Sequence, residues 1–111
     1  MKVAVIGSRG FDDYEKLKSI LELFPITLII SGGAIGADKL SERYASEKGI
    51  QTQIFLPQWD LFGKKAGFLR NTTIIENSEF VVAFWNSSSR GTRDSIGKAN
   101  KLKRTTLIVY Y

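Results

Sequence analysis

Residues 27–38 read TLIISGGAIGAD. The first four are apolar or β-branched and Ser31 follows, a length and composition suited to a strand buried on both faces. Glycines at 32, 33 and 36 follow at once. Ala37, Leu40, Tyr44 and Ala45 then recur at helical spacing as far as Gly49, a favourable helix stop. A buried strand that runs through a glycine turn into an amphipathic helix is the repeating unit of a parallel α/β sheet.

The unit recurs on either side. Residues 2–7 (KVAVIG) predict a first strand. Residues 13–24 predict a helix with Tyr14, Leu17, Leu21 and Phe24 on one face, entered at Asp12 with Glu15 three residues later as in a capping box. Residues 51–56 read as a third, more polar strand and 65–77 as a helix. Residues 80–85 (FVVAFW) form an apolar fourth strand, 92–103 a last helix and 106–110 (TLIVY) a fifth strand. Strict alternation predicts one Rossmann-like α/β/α domain over residues 1–111. Right-handed crossovers order its five-stranded parallel sheet 3-2-1-4-5. The chain then reverses between strands 1 and 4, and a ligand crevice lies above their carboxyl ends.

Composition narrows the chemistry. The 111 residues include no cysteine and no histidine. Disulfides, thiolate or imidazole metal sites, cysteine nucleophiles and Ser-His-Asp triads are thereby excluded. No metal and no cofactor is expected, and acid/base work would fall to Asp, Glu, Lys or Tyr. The first apolar run ends at Ile6, too short for a signal-peptide core, and no stretch nears the ~20 apolar residues of a membrane span. A cytoplasmic location is expected. The net charge is +5, with ten basic and ten acidic residues among the first 89. The surplus therefore comes from Arg90, Arg93, Lys98, Lys101, Lys103 and Arg104 against Asp94. Such a segment either attracts phosphates and other anions or is a solvated helix face. Self-association is left open.

Three loops should meet at the crevice: GSRGFDD (7–13), SGGAIGAD (31–38) and WNSSSRGT (85–92). In the second, Ser31, Gly32, Gly33 and Gly36 would let a phosphate approach backbone N–H groups at a helix N-terminus, or would serve tight packing alone. Asp38 would face a ribose hydroxyl or complement the helix dipole. In the third, Ser87, Ser88 and Ser89 offer hydroxyls, Gly91 backbone access and Arg90 a phosphate-matching fork. Ser89 or Thr92 would cap the helix. A P-loop is excluded by the spacing of Gly91 from Gly97-Lys98 and by Ala99 at the magnesium-binding position. In the first loop Gly7 ends the strand, and Ser8 and Arg9 stand at the switch point, with Arg9 read as an anion ligand. Residues 57–71, PQWDLFGKKAGFLRN, add Lys64, Lys65 and Arg70. They also add Trp59, Phe62 and Phe68, rings that would stack on a base or, more commonly, fill the core beneath a long loop.

GSR after strand 1, SGGAxGAD after strand 2, PxWxxxGKxAGFxRN, and FWxxxSRGTxxxI together resemble the SLOG superfamily, in its small stand-alone YspA-related (cpYpsA-related) branch. The resemblance spans nearly the whole chain. It implies a Rossmann-like fold and a nucleotide or nucleotide-derived ligand. Relatives in the superfamily include the Lonely Guy phosphoribohydrolases and the DprA single-strand DNA-binding proteins. The Lonely Guy pattern P-G-G-x-G-T-x-x-E aligns its G-T with Gly91-Thr92 and its catalytic glutamate with Ser95, leaving Asp94 one place out of register. The ligand-binding arginine of those enzymes aligns with Arg70, which is followed by Asn71 rather than lysine. The resulting expectation is a nucleotide-binding or -sensing domain. Its ligand residues are Gly7, Ser8, Arg9, Ser31, Gly32, Gly33, Gly36, Asp38, Arg70, Asn71, Ser89, Arg90, Gly91 and Thr92. Two alternatives stand beside it: a nucleoside-monophosphate phosphoribohydrolase using Arg70 with Asp38 or Asp94, and a DprA-like binder of single-stranded nucleic acid. Asp94 is expected to pair with Arg90 or Arg93 and to face away from position 95. Arg70 is expected to touch ligand without supporting the fold.

Overall fold

The computed structural model describes residues 1–111. Its five strands are β1 (Lys2–Gly7), β2 (Leu28–Ser31), β3 (Gln51–Ile54), β4 (Phe80–Trp85) and β5 (Thr105–Tyr110). All pair parallel in the order β3-β2-β1-β4-β5. Between them lie α1 (Tyr14–Leu21), α2 (Ala37–Lys48), α3 (Trp59–Phe62), α4 (Ala66–Glu76) and α5 (Arg90–Lys101). The alternation and the strand order are those expected. No helix is long and apolar enough to cross a membrane.

The period-2 geometry of a strand sorts the core into two layers. Val3 and Val5 of β1, with Ile29, Val82 and Phe84, pack against Leu17 and Leu21 of α1 and Tyr44 and Ala45 of α2. Their neighbours Ala4 and Ile6, with Ile30, Val81 and Ala83, face Ile74 and Ile75 of α4 and Ile96 and Ala99 of α5. Both faces of β1 and β4 are thus covered, which is why these strands read as unbroken apolar runs. β3 lies at an edge, and Gln51, Thr52 and Gln53 are exposed, in keeping with its polar composition.

Local differences have local causes. Asp13, not Asp12, caps α1, accepting from the Lys16 N–H at 3.1 Å. α5 begins two residues before the expected Thr92 because Ser89 is its cap: Ser89 Oγ accepts from the Thr92 N–H. β3 ends at Ile54, and the chain then departs into α3, a single turn too short to show a helical period.

The first two loops meet backbone to backbone. A Cβ on Gly7 would lie 2.6 Å from Ala37 Cβ and 2.7 Å from Phe84 O. At Gly36, φ is +86° and ψ −133°, and a Cβ would lie 2.5 Å from Ser8 O and 2.6 Å from Arg9 O. Gly49, by contrast, has φ +68° in the left-handed region but nothing within 4 Å of its added Cβ. Gly49→Ala should therefore cost about 1 kcal/mol, the backbone term alone. Gly36→Ala should cost roughly 3 kcal/mol or more, because backbone atoms cannot swing aside as a flexible side chain can. Urea denaturation of the two variants against the parent checks this; equal losses would refute the loop-contact argument.

Candidate functional site

The β1, β2 and β4 loops converge, as the strand order requires, on a cleft of about 650 Å³ above the carboxyl ends of β1 and β4. Its walls include Gly7, Ser8, Arg9, Gly32, Gly33, Asp38, Arg70, Asn71, Ser89, Gly91 and Thr92 among the expected ligand residues. Ser31, Gly36 and Arg90 do not line it. Ser31 is buried under the loop, Gly36 is against the Ser8–Arg9 backbone, and the Arg90 side chain is in solvent.

Two cleft-lining amides of the glycine loop are satisfied from within, although Gly36 gives α2 no side-chain cap. The Gly33 N–H donates to Ser31 Oγ at 3.2 Å, and the Ala34 N–H donates to Asp38 Oδ2 at 3.1 Å. Asp38 therefore does what a bound anion would have done at the Ala34 amide. Its carboxyl is only 7% exposed, and burial pushes its pKa up to about 6, against the lowering effects of the Ala34 amide and the nearby Arg70 guanidinium. Gly32 sits between the two: an added Cβ would collide with the Arg70 guanidinium and lie 3.1 Å from Asp38 Oδ2.

Arg70 is not the free crevice arginine that was expected. Its Nη1 donates to Gly32 O at 2.7 Å and to Phe55 O at 3.3 Å, and its Nε donates to Asn71 Oδ1. It ties α4 to the ends of β2 and β3, and burial lowers its pKa. Its Nη2 makes no hydrogen bond within the chain, and Arg70 lines the cleft.

The third loop leaves two backbone amides open. Asn86 Oδ1 accepts from the Ser88 and Ser89 N–H groups, forming an Asx turn. Asn86 in turn donates its own N–H to the buried Ser8 hydroxyl. Ser89 caps the Thr92 N–H, while the N–H groups of Arg90 and Gly91 have no partner. Asp94 turns away from the cleft, as expected, but its partners are different. Its Oδ2 accepts from Lys98 Nζ at 2.7 Å and from Asn71 Nδ2 at 3.2 Å. Arg93 lies instead over the Trp85 ring, 5.7 Å from its centroid. The i,i+4 spacing puts Lys98 one turn along the same helix face, which adjacent Arg93 cannot reach.

A family model described as "YspA, cpYpsA-related SLOG family" matches residues 1–62. The chain belongs to the YspA/cpYpsA-related SLOG family. Gene 61 protein of Mycobacterium phage D29 is 32% identical, the match covering 90% of this chain and 89% of that protein. Two solved structures of DNA processing protein A share the fold. The protein from Streptococcus pneumoniae superposes with TM-score 0.81 at 21% identity, over 96% of this chain and 49% of that one. The protein from Helicobacter pylori, whose structure concerns its single-stranded DNA binding mode, superposes with TM-score 0.76 at 22% identity, over 97% of this chain and 64% of that one. The chain thus spans about half to two-thirds of the length of these two structural relatives.

Within this SLOG domain Ser95 is 2% exposed and lines the cleft. Asp38 is the one carboxylate in the cleft wall. Sequence reasoning missed the commitment of Asp38 to the Ala34 amide, although an acid four residues after a loop amide at a helix start was a usable sign. Nothing local marked the carbonyl partners of Arg70, which lie 15 and 38 residues away in the chain.

The Asp38 pKa sets a pH dependence. A carboxyl whose folded-state pKa is raised contributes stability below its unfolded value, near 4, and that stability is lost as pH rises through about 6. Asp38→Asn keeps an acceptor for the Ala34 N–H and removes the ionisation. Between pH 4 and 6.5 the wild type should lose up to roughly 3 kcal/mol relative to the variant. Thermal denaturation of both across this range checks it; parallel curves would refute it.

Proposed function

We propose that this SLOG domain binds a phosphorylated nucleotide, with the phosphate at the N-terminus of α5 rather than on the glycine loop. The observation that carries the reading is the unbonded Gly91 N–H, next to that of Arg90, at a capped helix start whose Ser89, Gly91 and Thr92 line the cleft. A helix N-terminus with free N–H groups favours an anion through both hydrogen bonds and the helix dipole. Arg9 and Lys64 line the same cleft and make no ion pair. With Arg70 they set three cations against Asp38, whose own ionisation is already disfavoured. A volume near 650 Å³ is in the range of small-ligand sites.

A strand of single-stranded DNA is the second reading, favoured by the shared fold with DNA processing protein A, which in Helicobacter pylori binds such DNA. The two differ in length and salt dependence. Strand affinity grows with the number of nucleotides and falls steeply with salt; mononucleotide affinity changes little.

Cleavage of the N-glycosidic bond is the weakest fit. The reaction needs an ionised carboxylate beside the developing cation. Ser95 cannot supply it, Asp94 is held by Lys98 and Asn71, and Asp38 is spent on the Ala34 amide.

A thermal-shift screen with nucleoside mono-, di- and triphosphates tests the binding. Arg9→Ala, an exposed change that leaves the fold intact, should weaken the best ligand by about 1.5–3 kcal/mol, the scale of a charge-assisted hydrogen bond. Mass spectrometry of the same mixtures should detect no free base. Binding unchanged by Arg9→Ala, or release of base, would overturn this reading in the respective part.

A further inference from the structure

The rings of this chain fall into two groups. Phe11 stacks on Phe84 with centroids 4.6 Å apart and meets Tyr111 edge-on, and Phe24 packs on Phe80. These rings belong to the core or lie against it. Trp59, Phe62 and Phe68 do not fill the core beneath the loop, contrary to the commoner fate of such rings. They are 54%, 47% and 48% exposed and enter no aromatic pair.

Two of the three, Trp59 and Phe68, line the same cleft as Gly91; Phe62 does not. Each has a neighbour. Trp59 lies against Gly67 of α4, where an added Cβ would be 3.6 Å from its Cη2. Lys98 Nζ donates to the Phe68 carbonyl and lies 5.9 Å from the Phe68 ring centroid. The Trp59 indole N–H has no partner in the chain, whereas that of Trp85 donates to Ser89 O. Leu56 and Pro57 extend the same wall. One cleft thus has cations and a free amide together with exposed aromatic rings.

Exposing a large ring to water forfeits the favourable burial that rings such as Phe11 and Phe84 obtain. Tyr110 and Tyr111 are comparably exposed, but among the exposed rings only Trp59 and Phe68 line the polar cleft, where a flat ligand would cover them. We propose that Trp59 and Phe68 form the base-recognition wall of the cleft, on which the aromatic heterocycle of the phosphorylated ligand stacks. This rests on the phosphate reading above and deepens it: the ligand is a base-bearing sugar phosphate, not a bare phosphate or sugar phosphate. The base arrives on a free mononucleotide or at a position in a strand; both present the same π-face.

Titration calorimetry with the four ribonucleoside 5′-monophosphates, ribose 5-phosphate and oligo(dT) of four and twelve nucleotides tests it, with Trp59 fluorescence read in parallel on a Trp85→Phe background. The best monophosphate or the oligonucleotide should bind wild type about tenfold or more tightly than ribose 5-phosphate and quench Trp59. Trp59→Ala should reduce it to the affinity of ribose 5-phosphate, and Trp59→Phe should restore most of the preference. Dependence on length assigns the base to a strand; its absence assigns it to a free nucleotide. Equal binding of ribose 5-phosphate and every base-bearing probe, or a preference that survives Trp59→Ala, overturns the stacking wall and leaves the phosphate site standing. No binding of any probe overturns both.

Discussion

The backbone contact between the first two loops governs the rest of this structure. Gly36 rests on the carbonyls of Ser8 and Arg9, and Gly7 rests on Ala37 and Phe84. The contact is forced by topology. β1 is the central strand, and β2 and β4 flank it, so the loops leaving β1 and β2 share one narrow space with the start of α2. Side chains do not fit there, so glycines stand where the backbones touch. The same contact turns Arg9 outward into the cleft and holds the start of α2 where Asp38 reaches back to Ala34. The glycine pattern thus records chain-to-chain packing first, and ligand access only at its margins.

That distinction changes where an anion fits. Two glycine- or hydroxyl-rich loops each run into a helix, and by sequence they look equivalent. The first spends the donors of two residues that line the cleft inside the chain, Gly33 on Ser31 and Ala34 on Asp38. The second spends its cap on Thr92 and keeps the amides of Arg90 and Gly91 free. A buried carboxylate with a raised pKa is an expensive way to satisfy an amide. It is tolerable here because Arg70 lies close by and itself bonds two carbonyls. Removing Arg70 would leave Asp38 and two carbonyl groups short of partners, so its role in the fold and any role toward ligand cannot be separated by a single substitution.

Much of this was legible before any coordinates. Apolar runs such as KVAVIG and FVVAFW, glycine stops and helical spacing led to the five strands, their order and the place of the crevice, because each depends on local periodicity and on general rules of chain crossing. Four helices followed for the same reason. α3 did not, because one turn has no period to read. Eleven of the fourteen expected ligand residues do line the cleft, since loops at one end of a parallel sheet must converge. What stayed hidden was pairing at a distance. The choice of Lys98 over Arg93 by Asp94, the carbonyl partners of Arg70, and the exposure of Trp59 and Phe68 all depend on how separate elements meet.

Charge shows the same limit from the other side. The surplus of +5 lies wholly after residue 89, and on composition that segment either attracts anions or is a solvated helix face. In three dimensions it is dispersed. Lys98 is paired with Asp94, Arg104 donates to the carbonyls of Ile75 and Glu76 at the end of α4, and Arg93 lies over Trp85. None of the six basic side chains lines the cleft. The cations that do, Arg9, Lys64 and Arg70, come from the part of the chain whose charges balance. Net charge acts over a Debye length of ~8–10 Å and so bears on encounter. Recognition acts at hydrogen-bond distance and depends on which cations lack a partner. In this domain the first quantity is set by the C-terminal segment, and the second by an arginine that the contact of two glycines with their neighbours turns into the cleft.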